Sequence, residues 1–426
     1  MIHSVRPLCL LAISLLVSPA ISQERLLTKP EVVGVSSEKV GELSKYMQSL
    51  VDKGKIAGGV TMMARRGKVV HLKAVGMADR EAEKRMTTDA IFRIASMTKP
   101  ITSVAAMMLW EQGKIGLDDP ISKYIPEFKN PEVLVSVGPL VTRPAKREIT
   151  IRHLLTQTSG LGYPSTEGIG KLYLDHDIKM GLCSSNLTLK EMMERTGKLP
   201  IKFDPGSQWL YGMSSDVLGR VIEVASGKTF DVFVEKEICE PLGMTDTFFI
   251  APPEKQSRVV AAYYLSKSQI KKVKVGDTEA PFSSDCHLEG NKCFSGGGGL
   301  CSTAEDYMRF CQMLLNGGEL NGKRLLKLST VEMMTTNQLE DSVVPNQKMI
   351  PGLIGDFGFG LTFYSEDFPT IQLRGAYAWF GVWTTSFRVS PKRDWIVITM
   401  TQLAPCKGVV AWMRDYEKIA AESIID

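Results

Sequence analysis

Pro100-Ile101-Thr102-Ser103-Val104-Ala105-Ala106-Met107-Met108-Leu109-Trp110 is apolar nearly all the way round a helix, so it has no broad face to give to water. Such a helix must be surrounded by protein, and the rest of the chain has to fold about it. Pro100 falls in the first turn, where a missing N–H costs nothing. Immediately before it stands Ser96-Met97-Thr98-Lys99, a serine and a lysine three residues apart and therefore on one helical face. A serine hydroxyl at its free pKa is a poor nucleophile. A lysine amine held beside it in a desolvated, apolar wall can be neutral enough to take its proton.

Ser-x-x-Lys occurs three times, and context separates the copies. Ser36 to Lys39 opens an amphipathic helix with Val40, Leu43, Met47, Leu50 and Val51 on one face, which leaves the serine and lysine in water. Ser268 to Lys271 lies in the charged run Lys267 to Lys274, where a lysine stays protonated. Only Ser96 and Lys99 lead into a buried helix.

At 426 residues, with 44% hydrophobic and 23% charged, the chain has core enough for one large domain or two linked ones. Residues 1–22 carry Arg6, the apolar run Leu8 to Val17 and small residues around Ala20 and Ser22, the pattern of a cleavable export signal. The run is too short to span a bilayer. The mature protein is expected to be periplasmic or secreted, with no integral membrane segment. Loss of Arg6 leaves 50 basic and 47 acidic residues, spread along the chain, so nucleic acid is not an expected partner. Seven cysteines then remain, an odd set. Cys286 and Cys293 bracket a short loop and could pair, although cysteines this sparse are more often buried small hydrophobes. His71, His153, His176 and His287 have no cysteine or carboxylate at metal-ligand spacing, and neither a metal nor another cofactor is expected.

Along the chain, Gly59 to Arg65 and Lys68 to Val75 alternate about an Arg66-Gly67 turn, a hairpin that feeds into the Ser96 helix. From about Gly113 to Ser295 the signals are helical or loop, with helices near Ile151 to Thr156, Leu189 to Thr196 and Ser215 to Ser226. Ser302-Thr303-Ala304-Glu305 reads as a capping box that starts another helix, ended by Asn316-Gly317-Gly318. Phe359 to Tyr364, Val382 to Val389 and Trp395 to Thr401 read as strands, and Val409 to Ile424 as a closing helix. Sheet at both ends with helices between is an α+β plan, with the middle block as an inserted helical subdomain. Gly317 to Lys323 matches a nucleotide-binding loop only in part, because Arg324 replaces the metal-binding hydroxyl. Gly296 to Gly299 precedes a helix opening on Glu305 and Asp306, which would repel a phosphate, so close backbone packing beside a cleft is expected there. Gly-x-Ser-x-Gly is absent, which disfavours a Ser-His-Asp hydrolase.

Phe92-Arg93-Ile94-Ala95-Ser96-Met97-Thr98-Lys99, Ile151-Arg152-His153-Leu154-Leu155-Thr156-Gln157-Thr158-Ser159-Gly160-Leu161 and Gly296-Gly297-Gly298-Gly299-Leu300-Cys301-Ser302-Thr303, in that order, resemble the serine beta-lactamase-related family. The class C beta-lactamase-like members and the related carboxylesterases are the nearest branches. The resemblance runs from about Val40 to the C-terminus. It implies an antiparallel β-sheet flanked by helices and packed on an all-helical subdomain, with a cleft between. Residues 23–426 would then form one hydrolase domain, its α/β part about 35–95 and 296–426 and its helical part about 96–295.

The resemblance also implies roles. Tyr211, ahead of a helix in Tyr211-Gly212-Met213, stands where the family keeps its proton shuttle. A phenol titrating near pKa 10 needs a cation such as Lys99 beside it to act near neutrality. Met213 takes the place of the asparagine of Tyr-x-Asn, which in lactamases binds the acylamino group, and is expected in the substrate cleft. Trp379-Phe380-Gly381 stands where Lys-Thr-Gly would be and resembles the Trp-Gly-Gly of the esterase branch. An apolar Trp379 cannot pair a substrate carboxylate, a task that would then fall to Arg374 or Arg388. The N–H groups of Ser96 and of Val382, after the small Gly381, are the expected oxyanion hole. The expected function is hydrolysis of a small ester, lactam or amide through an acyl-enzyme on Ser96, esterase-like in its leading form. The alternatives are a beta-lactamase or D-amino-peptide hydrolase and, in another class, a binding or scaffold protein that kept the fold without turnover.

Overall fold

Alternation along two strands organises the centre of the fold. In the computed structural model, which describes residues 27–179, 181–267, 269–340, 343, 356–367, 373–404 and 409–426, strand β1 (Gly58–Arg65) is buried at every position. Its even-numbered Val60, Met62 and Ala64 enter the large core, whereas Met63 faces a second one with Val40, Leu43 and Met47. Such a period-two split means that both faces of the sheet are covered. The hairpin partner, β2 (Lys68–Asp79), follows a turn in which Arg66 and Gly67 both have φ > 0, the geometry that matches the twist of paired strands.

The remaining strands of this sheet are β3 (Lys84–Arg85), β4 (Asp356–Phe357), β5 (Thr362–Phe363), β6 (Tyr377–Gly381), β7 (Thr385–Ser390) and β8 (Trp395–Met400). Their order is β4-β5-β6-β7-β8-β1-β2-β3, every neighbouring pair antiparallel. The first strand of the chain thus lies beside the last, with Met62 opposite Ile398. Helices α1 (Ser37–Asp52) and α2 (Thr98–Glu111) serve opposite faces: Leu43 and Met47 of α1 join the second core, and Ile101, Val104 and Ala105 of α2 join the large one. As its composition demands, α2 is buried from Thr98 through Leu109.

Between the sheet-forming ends lie α3 (Ile151–Leu155), α4 (Leu189–Thr196) and α5 (Ser214–Ser226), closed at Gly227 with φ 73°. Helix α6 (Ala304–Leu315) and the closing α7 (Val409–Glu422) follow. Two expectations need correction. The middle block is not only helix and loop, since it holds two hairpins, Glu132–Val137 with Leu140–Pro144 and Tyr263–Ser266 with Gln269–Lys272. Val133-Leu134-Val135-Ser136-Val137 is a β-branched alternating run, and that preference prevails locally. The cap of α6 is Thr303, whose hydroxyl accepts from the Asp306 N–H. Ser302 instead pairs with Phe92 in a short strand. Cys286 and Cys293 are free thiols, both buried, in keeping with sparse cysteines used as small hydrophobes. The export signal, Ser268 and Cys406 lie outside the described residues. Among those described, no helix is long and apolar enough to cross a membrane.

Candidate active site

Ser96 sits in a turn gripped from several sides. Phe92 and Arg93 pair with Ser302 and Cys301, and the Ile94 N–H donates to Leu300 O at 3.0 Å. Thr385 Oγ1 donates to Ile94 O (3.1 Å) and Tyr307 OH to Met97 O (2.8 Å). The Leu300 N–H in turn reaches Thr98 Oγ1 at 3.2 Å. Between these anchors Ala95, wholly buried, is held at φ 45°, a left-handed conformation that costs a residue with a Cβ about 1–2 kcal/mol. The surroundings over-determine the strain, and the chain passes through the short 3₁₀ turn Ala95–Met97 into α2.

Lys99, with 0% exposure, turns its amine back into this corner. Nζ contacts Ser96 Oγ at 3.3 Å, Tyr163 OH at 2.9 Å and Gly297 O at 2.6 Å. It also lies 4.7 Å from the ring centre of Tyr211 and 5.7 Å from that of Tyr163, within cation–π range of both. Asp216 supplies a compensating carboxyl nearby. Burial raises its pKa above the usual carboxylate range, and the Lys99 charge works in the opposite direction. Its Oδ1 accepts from Ser295 Oγ and from the Gly297 N–H (3.2 Å), while Oδ2 has no partner among the described residues. A Cβ on Gly297 would stand 2.6 Å from Asp216 Oδ2, so a larger residue in this wall would have to displace that carboxylate.

Tyr211 is set by backbone hydrogen bonds and by stacking. Gln157 O accepts from the Leu210 N–H (2.8 Å), and Gln157 Oε1 from the Gly212 N–H (3.1 Å). The ring stacks on Trp209 at 6.0 Å and packs against Trp379 at 5.6 Å and Tyr163 at 5.6 Å. The Tyr163 phenol is pushed well above 10 by burial, then by the neighbouring Tyr211 and Asp216 charges and by a hydrogen bond with Tyr211. It therefore stays protonated and connects the lysine to the second tyrosine.

A cavity of about 140 Å³ opens beside the serine, lined by Ser96, Tyr163, Tyr211, Leu182, Gly298 and Val382 among others. Val382 follows directly on β6. Gly381 lets that strand close on the serine turn, because a Cβ there would fall 2.3 Å from Ile94 O. Among the described residues, neither the Ser96 nor the Val382 N–H donates to a backbone carbonyl in the turn and loop hydrogen bonds outside the helices and strands. The structure thus brings Ser96, Lys99, Tyr211, Gly381 and Val382 together. Trp379, nearly buried, stands behind Tyr211 rather than on the cavity wall. Met213 is 1% exposed and belongs to the core, not to this cavity. Arg388 is bound to Glu417 at 2.6 Å and Arg374 is exposed, and neither lines the cavity. Tyr163 and Asp216 were not singled out in the sequence. Tyr163 follows two residues after the Ser159-Gly160-Leu161 motif, and Asp216 reads as an ordinary first-turn acid of α5. No group of three His, Cys, Asp or Glu side chains among the described residues could hold a metal ion.

The family model described as Beta-lactamase matches residues 43–418. The chain belongs to this family. Protein Rv1367c of Mycobacterium tuberculosis is 33% identical over 377 residues, 86% of this chain and 90% of that protein. Esterase EstB of Burkholderia gladioli is 36% identical over 266 residues, 60% of this chain and 64% of its own. Among solved structures, EstCE1, described as a hydrolase with promiscuous acyltransferase activity, superposes with a TM-score of 0.75 at 27% identity, covering 92% of this chain and 99% of that one. The family's antiparallel sheet with attached helices is the fold observed, and the chain is an enzyme of serine-hydrolase type.

Proposed function

We propose that the protein is an esterase-like hydrolase that works through an acyl-enzyme on Ser96. The observation that carries this reading is the position of Lys99 Nζ, buried, 3.3 Å from Ser96 Oγ and 2.9 Å from Tyr163 OH. With the amine neutral, two N–H groups remain for Gly297 O and Tyr163 OH, and the lone pair meets the serine hydroxyl. Lys99 takes that proton as Oγ attacks the ester carbonyl, and the N–H groups of Ser96 and Val382 receive the oxyanion. Tyr211, coupled to Lys99 through Tyr163, returns the proton to the leaving alkoxide as the C–O bond breaks. Water then adds to the acyl-enzyme, gives its proton back along the same route and releases the acid.

Esters are favoured over lactams and D-amino peptides because, among the described residues, no arginine or lysine lines the cavity to pair a substrate carboxylate. The names of EstB and EstCE1 point the same way. Turnover of short p-nitrophenyl esters against a chromogenic cephalosporin tests the reading, and efficient cleavage of the cephalosporin with neglect of the esters would overturn it. Export to the periplasm or the exterior is part of the proposal, supported by the pattern of residues 1–22. N-terminal sequencing of the mature protein should begin near Gln23.

A further inference from the structure

Gly296-Gly297-Gly298-Gly299 has no side chains to hold it, yet one of its carbonyls fixes the amine beside Ser96: Gly297 O accepts from Lys99 Nζ at 2.6 Å. A run of glycines is the stretch least able to keep a backbone in place by itself. What pins it is polar. Thr102 Oγ1 donates to Gly296 O at 2.8 Å, and the Gly297 N–H donates to Asp216 Oδ1 at 3.2 Å, an oxygen that also accepts from Ser295 Oγ. Gly297 therefore bridges the lysine, on its carbonyl, and a buried carboxyl, on its N–H. Among the described residues that line the cavity beside Ser96, Asp216 is the only carboxyl. Both of its hydrogen bonds are accepted, the pattern of a carboxylate, and they oppose the burial that would protonate it. The other groups around the pair leave that charge without a competitor. Burial pushes the Tyr163 phenol and the Cys293 thiol upward and keeps both neutral, and Tyr211 turns its ring face to Lys99. On the helices packed against α5, His153 of α3 is lowered to about 4 by burial and stays neutral, Arg152 is engaged by Asp118, and Lys190 and Glu191 of α4 by Glu194 and Thr188. Glu223 of α5 itself pairs with Arg220, and Asp231, on the next helix (Phe230–Val234), lines a cavity that shares no residue with this one.

We infer that Asp216 is a positioning residue of the Ser96 reaction: through Gly297 it holds Lys99 against the serine, and its charge offsets the ammonium formed when Lys99 takes the serine proton. This role rests on the acyl-enzyme reading of Ser96. Attack turns a neutral amine into a cation inside a buried corner, a costly change where no opposite charge is at hand. The proton passes from Ser96 Oγ to Lys99 Nζ, and Asp216 neither gains nor loses one. Among the described residues no carboxylate touches the amine, whose partners are Ser96 Oγ, Tyr163 OH and Gly297 O. Acting across one glycine, Asp216 favours the arrival of the proton without the direct ion pair that would hold the amine protonated before attack.

Fluorophosphonate labelling of the intact protein, its rate followed across pH, tests this with Asp216→Asn, which keeps the shape and an acceptor and removes the charge. Without the carboxylate the amine gives up its proton more readily and is a weaker base. The acidic limb of the labelling rate should therefore move to lower pH by about one unit, the lower end of an opposite charge's effect, and the plateau above it should fall by up to about tenfold. Ser295→Ala, which takes one of the two donors from the carboxylate, should move the limb the same way and less far. It carries the test if the asparagine variant does not fold. A limb that stays in place or moves to higher pH overturns the assignment, and so does a slower rate with the limb unmoved, the mark of a merely loosened turn. Labelling of the wild type that is lost in Ser96→Ala is the control. Equal or absent labelling in those two would mean that the acyl-enzyme reading itself has failed, a result distinct from an unmoved limb in a protein that labels on Ser96.

Discussion

Two copies of one tetrapeptide pattern stand in this molecule with the same heavy-atom distance and opposite chemistry. Ser36 Oγ accepts from the backbone N–H of Lys39 at 3.3 Å, and the Lys39 side chain is exposed. Ser96 Oγ lies 3.3 Å from the side-chain nitrogen of Lys99, which is wholly buried. At the first site the serine is an N-cap in extended conformation, and its oxygen is occupied in closing the helix end. At the second, the left-handed Ala95 and the 3₁₀ turn place the serine within the first helical turns, where its hydroxyl is not needed as a cap. The difference teaches that spacing brings the two residue types together, and backbone conformation decides which nitrogen meets the oxygen.

The strongest break of this comparison is Ser96→Ala. Ester turnover should fall by on the order of 10⁴ or more, the scale of removing a nucleophile. Ser36→Ala should leave kcat and KM unchanged. Lys99→Met comes next: it should lower kcat by about 10³ through loss of the base, within the range of proton-transfer catalysis. Its unfolding midpoint in urea should stay level or rise, because a fully buried amine with no carboxylate in direct contact is exchanged for an apolar chain. Lys39→Met, in water, should change neither quantity.

What could be read in advance follows from how local each cause is. The apolar circumference of α2, the alternation of β1 and β2 and the apolar face of α1 are written within a dozen residues or so, and all three form. Tyr163 was out of reach because its bond to Lys99 joins positions 64 apart and nothing in its own segment marks it. The Tyr-x-Asn alignment places Met213 in the cleft. It instead immediately precedes α5, with its side chain in the core, so the alignment of types did not carry the direction of the side chain. The capping box at Ser302 slipped by one residue for a similar reason, since Ser302 and Thr303 are both competent caps and only the pairing of Ser302 with Phe92 selects Thr303.

Tyr163→Phe sharpens the same comparison at a smaller scale. Lys99 would keep Ser96 and Gly297 and lose its link to Tyr211, so kcat should drop by about 10², the lower end of a proton-transfer contribution, with KM little altered. A drop as large as that of Lys99→Met would mean that the tyrosine, not the lysine, holds the proton during attack.

The smallest effect belongs to the solvent-facing copy. Ser36→Ala removes one side-chain acceptor from the start of α1 while the backbone bond from Ser36 N–H to Ser423 O, at 2.8 Å, survives. Glu31 continues to accept from both the N–H and the hydroxyl of Ser37, at 2.9 Å each, so the next donor of the helix end remains satisfied. The loss should therefore be about 1 kcal/mol of stability, within the usual range for an N-cap, read as a lower urea midpoint at unchanged slope. Ser96→Ala removes no cap and should move the midpoint less than Ser36→Ala does. Stability lost without activity at one serine, and activity lost without stability at the other, is the double dissociation required if backbone conformation separates the two pairs; a larger stability loss at Ser96 would show that its hydroxyl also holds the turn.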